Sequence, residues 1–174
     1  MKKWFPATLA LLLSVGLASQ AAAQRQSRLD MTDFPRPIAA ADNVWIEELT
    51  VLEIRDLLRD GTTTALILTG GIEENGPYLT TGKHNHVMRV MGESIARRLG
   101  NALAAPIVTI EPGNPENASS PGSIRLSQET FQAVLRDMAT SLKAQGFKDI
   151  VLMGDSGGNQ SRMQEVTEKL SAEW

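Results

Sequence analysis

Two carboxylates and both histidines of this chain fall in one short stretch, "TGGIEENGPYLTTGKHNHV" at positions 69–87. Glu73 and Glu74 are adjacent, the amide Asn75 follows, and His84 and His86 close the segment. Carboxylate and imidazole donors of this kind build zinc or manganese sites when neighbouring strand ends bring them together. A second stretch, "VLMGDSGGNQ" at 151–160, sets Asp155 and Ser156 among Gly154, Gly157 and Gly158, with Asn159 next. Its glycines permit tight turns, so its polar groups can face a ligand. Plainer uses exist for the same residues. Loop carboxylates are usually solvated, His84 can cap the helix that follows it, and Asp155 and Ser156 can cap the next.

The run Gly154-Asp155-Ser156-Gly157-Gly158 is spelled like the surroundings of the nucleophilic serine in trypsin-like proteases. Such a serine needs a histidine held against it and an aspartate orienting that histidine. Neither His84 nor His86 lies in the Ala-Ala-His-Cys context of those enzymes. Their domains are all-β barrels, whereas here the motif follows an apolar strand and precedes a helix, so the protease reading is set aside.

The elements that must position these residues are legible from pattern. "LTVLEIRDLLRDG" carries a capping box, Thr50 with Glu53, then apolar Val51, Ile54, Leu57 and Leu58 and a stop at Gly61, which predicts a helix. "TALILTGG" is a continuous apolar run, expected to be a strand covered on both faces. "APIVTI" and "DIVLM" predict the second and third strands. Helical spacing runs through Val87, Met91, Ile95 and Leu99, through Phe131, Val134, Leu135, Met138 and Leu142, and through Met163, Val166 and Leu170. Gly100 and Gly146 sit where left-handed helix ends are cheapest. Strand and helix alternate, which predicts an α/β fold with three α/β/α layers and a mostly parallel sheet.

The N-terminal "MKKWFPATLALLLSVGLASQAAAQ" has a basic start, an apolar run and a small-residue exit, the layout of a secretory signal peptide over residues 1–23. The chain is accordingly expected to be exported, to a bacterial periplasm, with no membrane attachment after cleavage. Residues 24–43 are polar and proline-broken, an extended arm, and residues 44–174 are the folded domain. With 20 Asp+Glu against 17 Lys+Arg and a net charge of −3, before Lys2 and Lys3 leave with the signal, the surface does not invite nucleic acid. There is no cysteine, hence no disulfide framework and no thiolate metal site.

Taken together, "W-x-E-E-L-T" at 45–50, "GGIEENGPYLTTGKH" at 70–84, "ENASSPGSIRLS" at 116–127, "LKAQGF" at 142–147 and "GDSGGN" at 154–159 resemble, in order and spacing, the creatininase family of metal-dependent amidohydrolases. In that family the first loop looks like Gly-Ser-Thr-Glu-Gln-His-Gly-Pro-His-Leu-Pro followed by Gly-Thr-Asp. Glu73 matches its metal-binding glutamate, Asn75 stands at a metal-binding histidine and His84 at the aspartate. Glu116-Asn117 stand at a Glu-His pair, and Ser156 replaces a histidine ligand. The resemblance implies a divalent transition metal, zinc or manganese, held by Glu73, His84 and Asp155. It further implies proton transfer by Glu116 or Glu74, with Asn75, Ser156, Gly157, Gly158 and Asn159 against a small-molecule amide. The expected activity is hydrolysis of non-peptide carbon–nitrogen bonds in a cyclic or linear amide; the alternative is a catalytically impaired relative that only binds a small molecule. Family domains continue past the glycine turn, so this fold is expected to be incomplete at its C-terminus, with an exposed sheet edge and a homo-oligomeric partner to cover it.

Overall fold

The computed structural model describes residues 31–174, so the expected signal peptide lies outside the described residues. Arg36–Trp174 forms one compact unit. Within it, strand β1 (Thr64–Thr69), β2 (Ala102–Ala104) and β3 (Asp149–Gly154) make a parallel sheet in the order β2-β1-β3. Helices α1 (Val51–Arg59), α2 (Lys83–Leu99), α3 (Gln128–Gln145) and α4 (Gly157–Glu173) complete the element list, with short 3-10 turns at Ile46–Glu48 and Pro115–Asn117.

All six residues of β1 are buried, as its unbroken apolar run requires of a central parallel strand. Ala65 and Ile67 join a core with Phe131, Leu135 and Leu142 of α3 and Met163, Val166 and Leu170 of α4, against which Ile54, Leu57 and Leu58 of α1 also pack. On the opposite face, Leu66 and Leu68 meet Trp45 and Met88 and Ala96 of α2. These two cores make the three layers. Each fully buried Leu or Ile contributes about 1.5–3 kcal/mol by leaving water. Gly92 lets α2 approach β1 closely, since a Cβ there would lie 2.2 Å from Leu68 Cδ1.

The helix ends follow the sequence. Ser127 accepts a hydrogen bond from the Thr130 N–H at the start of α3, and Gly100 and Gly146 close α2 and α3 at φ of +76° and +109°. Two expectations need correction. The second strand is not "APIVTI" but the shorter run before it, because Pro106 has no N–H to give the ladder. The Ala105 N–H donates to Leu66 O and the Val108 N–H to Leu68 O, so one extra residue bulges out around the proline. Helix α4 begins at Gly157, earlier than helical spacing suggests, because Asn159 is anchored to the end of β1 and fixes the first turn. Within the expected arm, residues 36–43 lie against α1: Arg36 pairs with Asp56 and the Ala41 N–H donates to Glu53.

Glu53 thus accepts from the Ala41 N–H at 2.6 Å, the Thr50 hydroxyl at 2.7 Å and the Thr50 N–H at 2.8 Å. These bonds, the one from Ala41 foremost, push its carboxyl down from 4.5 to about 2. A depressed carboxylate stabilises the fold above its unfolded pKa and loses that contribution as pH falls towards the folded value. Glu53→Gln should therefore flatten the decline in urea midpoint between pH 4.5 and about 2, leaving the rest of the profile in place.

β3 has a partner on one side only among the described strands. Val151, pointing away from the α3–α4 core, stays 41% exposed. Among the described residues no helix is long and apolar enough to cross a membrane.

Candidate functional site

Beyond the carboxyl ends of β1 and β3 the chain gathers an ionic cluster. The turn after β1 carries Glu73, the first turn of α2 carries His84, and the turn after β3 carries Asp155. His84 is buried and clasped at both ring nitrogens: Nε2 lies 2.8 Å from Glu73 Oε1 and Nδ1 lies 2.8 Å from Asp155 Oδ1. Two residues that the sequence reading missed extend the chain of contacts. Arg125 pairs through one guanidinium nitrogen with Glu111 and reaches Glu73 Oε2 at 3.5 Å with the other. The Ser156 hydroxyl donates to Glu111 Oε2 at 3.0 Å.

Backbone contacts explain why these groups converge. The segment at 123–126 threads between two strand-end loops, with the Ile124 N–H donating to Ile72 O and the Leu126 N–H to Glu111 O. Arg125 is thereby held between Glu73 and Glu111. Asn85 ties α2 to the first loop, its Oδ1 accepting from the Gly71 N–H and its Nδ2 donating to Thr109 O. Gly71 leaves room for Glu111, whose Oε2 would lie 3.0 Å from an added Cβ.

Glu111 is 1% exposed. Burial first, then the hydrogen bond with Glu73, pushes its carboxyl above the usual range against the pull of Ser156 and Arg125. For Glu73 burial acts in the same direction, but the hydrogen bond from Glu111 and the charges of His84 and Arg125 outweigh it, and its carboxyl ends below the usual range. Two adjacent carboxyls with opposite shifts are the pattern of an acid and a base sharing one site.

The remaining expected site residues divide. Ser156 is 3% exposed and committed to Glu111, so it neither caps α4 nor faces a ligand. Asn159 is fully buried and donates to Thr69 Oγ1 at 3.0 Å and Gly70 O at 2.8 Å, a clamp on the end of β1 rather than a substrate contact. Gly157 and Gly158 are exposed at the start of α4. Asn75 donates to Glu73 O and Glu74 accepts from the Gly76 N–H, both within their own turn. Glu116, expected to transfer protons, lies exposed in the turn Pro115–Asn117, outside the cluster's hydrogen bonds and ion pairs, and the carboxyl that stands inside the cluster is Glu111. His86 is exposed.

Close packing also governs Gly154, where an added Cβ would lie 2.2 Å from Thr69 Oγ1 and 2.6 Å from Thr69 O. Because one of these atoms is backbone, Gly154→Ala should part β1 from β3 and cost about 1–3 kcal/mol in urea unfolding.

A parallel sheet between helices, with carboxylates and an imidazole gathered beyond the carboxyl ends of its strands, is the layout of an α/β domain with a strand-end site. The profile of the creatininase family, described as creatinine amidohydrolase, matches residues 47–174, and the chain belongs to that family. A crystal structure of creatinine amidohydrolase (creatininase) is similar at 20% identity and a TM-score of 0.69, covering 76% of this chain and 52% of its own. A manganese creatininase gives 21% identity and a TM-score of 0.68, covering 75% of this chain and 52% of its own. A putative creatinine amidohydrolase from Bacteroides fragilis gives 22% and 0.62, covering 77% and 53%. The chain thus spans about half the length of the solved structures that it matches. No curated protein matches it.

The metals of those relatives, manganese in one and a zinc pair in a variant creatininase, set a test for the residues present. Glu73 and Asp155 hold opposite ring nitrogens of His84, so one ion cannot take both carboxylates and the imidazole. Arg125 already neutralises the carboxylates on the inner side. Among the described residues no group of three or more His, Asp or Glu is arranged to hold a metal ion. The expected set of Glu73, His84 and Asp155 is therefore gathered, but as a hydrogen-bonded relay and not as a ligand cage; as arranged, it does not fit the metal centre that the family pattern implies.

Proposed function

We propose that this chain is an exported amidohydrolase of the creatininase family that acts on a non-peptide carbon–nitrogen bond of a small cyclic or linear amide. The observation that carries the reading is the Asp155–His84–Glu73 relay at the strand ends, joined to a second carboxyl, Glu111, of opposite shift. Asp155 fixes the imidazole at Nδ1, and Nε2 in turn fixes the Glu73 carboxylate. Glu73, ionised, accepts the proton of a water attacking the amide carbon and returns it to the departing nitrogen, which leaves as an amine. Glu111, whose carboxyl burial pushes above the usual range, shares a hydrogen bond with Glu73 that favours the ionised form of Glu73. The half-exposed outer side of β3 supports a homo-oligomer that covers it, and the N-terminal sequence supports export to the periplasm.

A second reading, a relative that binds a small molecule without turning it over, is favoured by Ser156 and Asn75 standing at family ligand positions and by the engaged state of Arg125. Incubating the purified protein with a panel of lactams, cyclic ureas and linear amides, and following amine release, separates the two. Release that disappears in Glu73→Gln supports hydrolysis. Saturable binding without release across the panel establishes the second reading in its place.

A further inference from the structure

We infer that Arg125 is a resident cation that replaces the divalent ion in the strand-end cluster, and that removing its charge opens the cluster to a metal. The observation is an inversion of what a metal centre needs. The carboxylates of Glu73 and Glu111, which could offer oxygen donors, are bridged by one guanidinium, and the hydroxyl of Ser156 closes the far side of Glu111.

Burial decides how strongly this matters. Glu111 is almost fully enclosed, and an enclosed carboxylate requires a paired positive charge or a proton. A planar guanidinium presents donors in a fixed fork, so a single side chain serves two carboxylates at once. Its position is imposed by backbone: Ile124 is bonded to the Glu73 loop and Leu126 to Glu111 itself, so the residue between them is held where its guanidinium reaches both carboxylates. A divalent ion entering that space meets a like charge within a few ångströms in a partly dehydrated setting, where repulsion is strong.

Removing the charge reverses the situation. The two carboxylates and the serine hydroxyl then form an all-oxygen set, with His84 Nε2 beside Glu73, and hard or borderline divalent ions suit such donors. This inference concerns what holds the cluster together; it stands or falls apart from hydrolysis, because its readout is metal content.

The experiment compares the wild-type protein with Arg125→Met, Arg125→Gln and Arg125→Lys, purified without chelators. Metal content is measured by elemental analysis, and calorimetric and thermal-melting titrations use manganese chloride and zinc chloride. The wild type and Arg125→Lys should carry no stoichiometric metal and show melting unaffected by added ion or by chelator. Arg125→Met and Arg125→Gln should take up about one ion per chain with affinity raised roughly a hundredfold, and should melt higher when it is added. Adding Glu111→Gln to Arg125→Met should cancel the gain. If Arg125→Met folds only with metal present, the inference is also supported. A wild-type protein that retains one tightly held ion per chain overturns it, as does equal metal affinity in all four proteins.

Discussion

Arg125→Met should lower the free energy of unfolding in chelator-containing buffer by about 3–5 kcal/mol, read from urea titrations at neutral pH. The reason is the imbalance that the substitution leaves. Arg125 itself is partly solvated, with 27% of its side chain exposed, so losing its own contacts is a small part of the cost. Its partner Glu111 has 1% of its side chain exposed and keeps its carboxyl in the interior with the Ser156 hydroxyl and Glu73 as polar partners. Taking away one member of a buried pair costs more than exchanging both members for neutral groups. The double variant Arg125→Met/Glu111→Gln should thus recover most of the loss, and the coupling in that cycle measures the pair. Raising the pH should deepen the loss in the single variant. Glu111 already has a raised carboxyl in the wild type, so its stabilising form is complete below the ordinary value of 4.5 and is drained as pH rises through the folded value.

The larger kinetic effect belongs to Glu73→Gln, which should reduce turnover of a cleaved amide by about 10²–10⁴-fold with little change in KM. Glutamine keeps the size of the side chain and a hydrogen-bonding group opposite His84, so substrate contacts and fold survive while the proton acceptor is lost. The sign of the pH profile follows from the wild-type environment. Since Glu73 is held below the ordinary value of 4.5, the base should stay ionised and activity should persist as pH falls past that value, declining only further into acid. His84→Gln should lower turnover less than Glu73→Gln, because it loosens the carboxylate without removing it. A Glu73→Gln protein as active as the wild type would move the chemistry away from this cluster.

Much of the architecture was legible in the sequence because local signals and tertiary demand agree. "TALILT" holds four consecutive apolar residues between its threonines, a pattern that suits a strand buried on both faces, and it became the central strand. The Thr50–Glu53 box and Gly146 mark helix ends by mechanisms confined to one turn. The second strand was misplaced because hydrophobicity continues across Pro106 while hydrogen-bonding capacity does not. In the site, Glu73 and His84 stand out because they share one polar loop after an apolar run, and Asp155 because it lies in the glycine turn after another. Glu111 and Arg125 were missed because their partners are distant in the chain and are chosen by the path of two loops. A faint signal existed: Arg125 is a single charge between Ile124 and Leu126, where an exposed loop has little reason to be apolar on both sides. Ser156 and Asn159 are expected against a small-molecule amide because polar groups among glycines at a strand end can face a ligand, yet the fold turns both inward.

The order β2-β1-β3 also has a consequence in time. β1 is flanked by a short strand close to it in sequence and by β3 from near the end of the domain, and all six of its residues are matched with β3. Its longest ladder is therefore closed by a loop holding most of the domain, and closure entropy must be overcome before those contacts return anything. Until β3 arrives, the central strand has only three ladder positions available to it, those of Ala102–Ala104. The arrival of β3 is accordingly expected to limit the rate of folding, and in the interval before it an incompletely paired "TALILT" is open to a chaperone or to another chain.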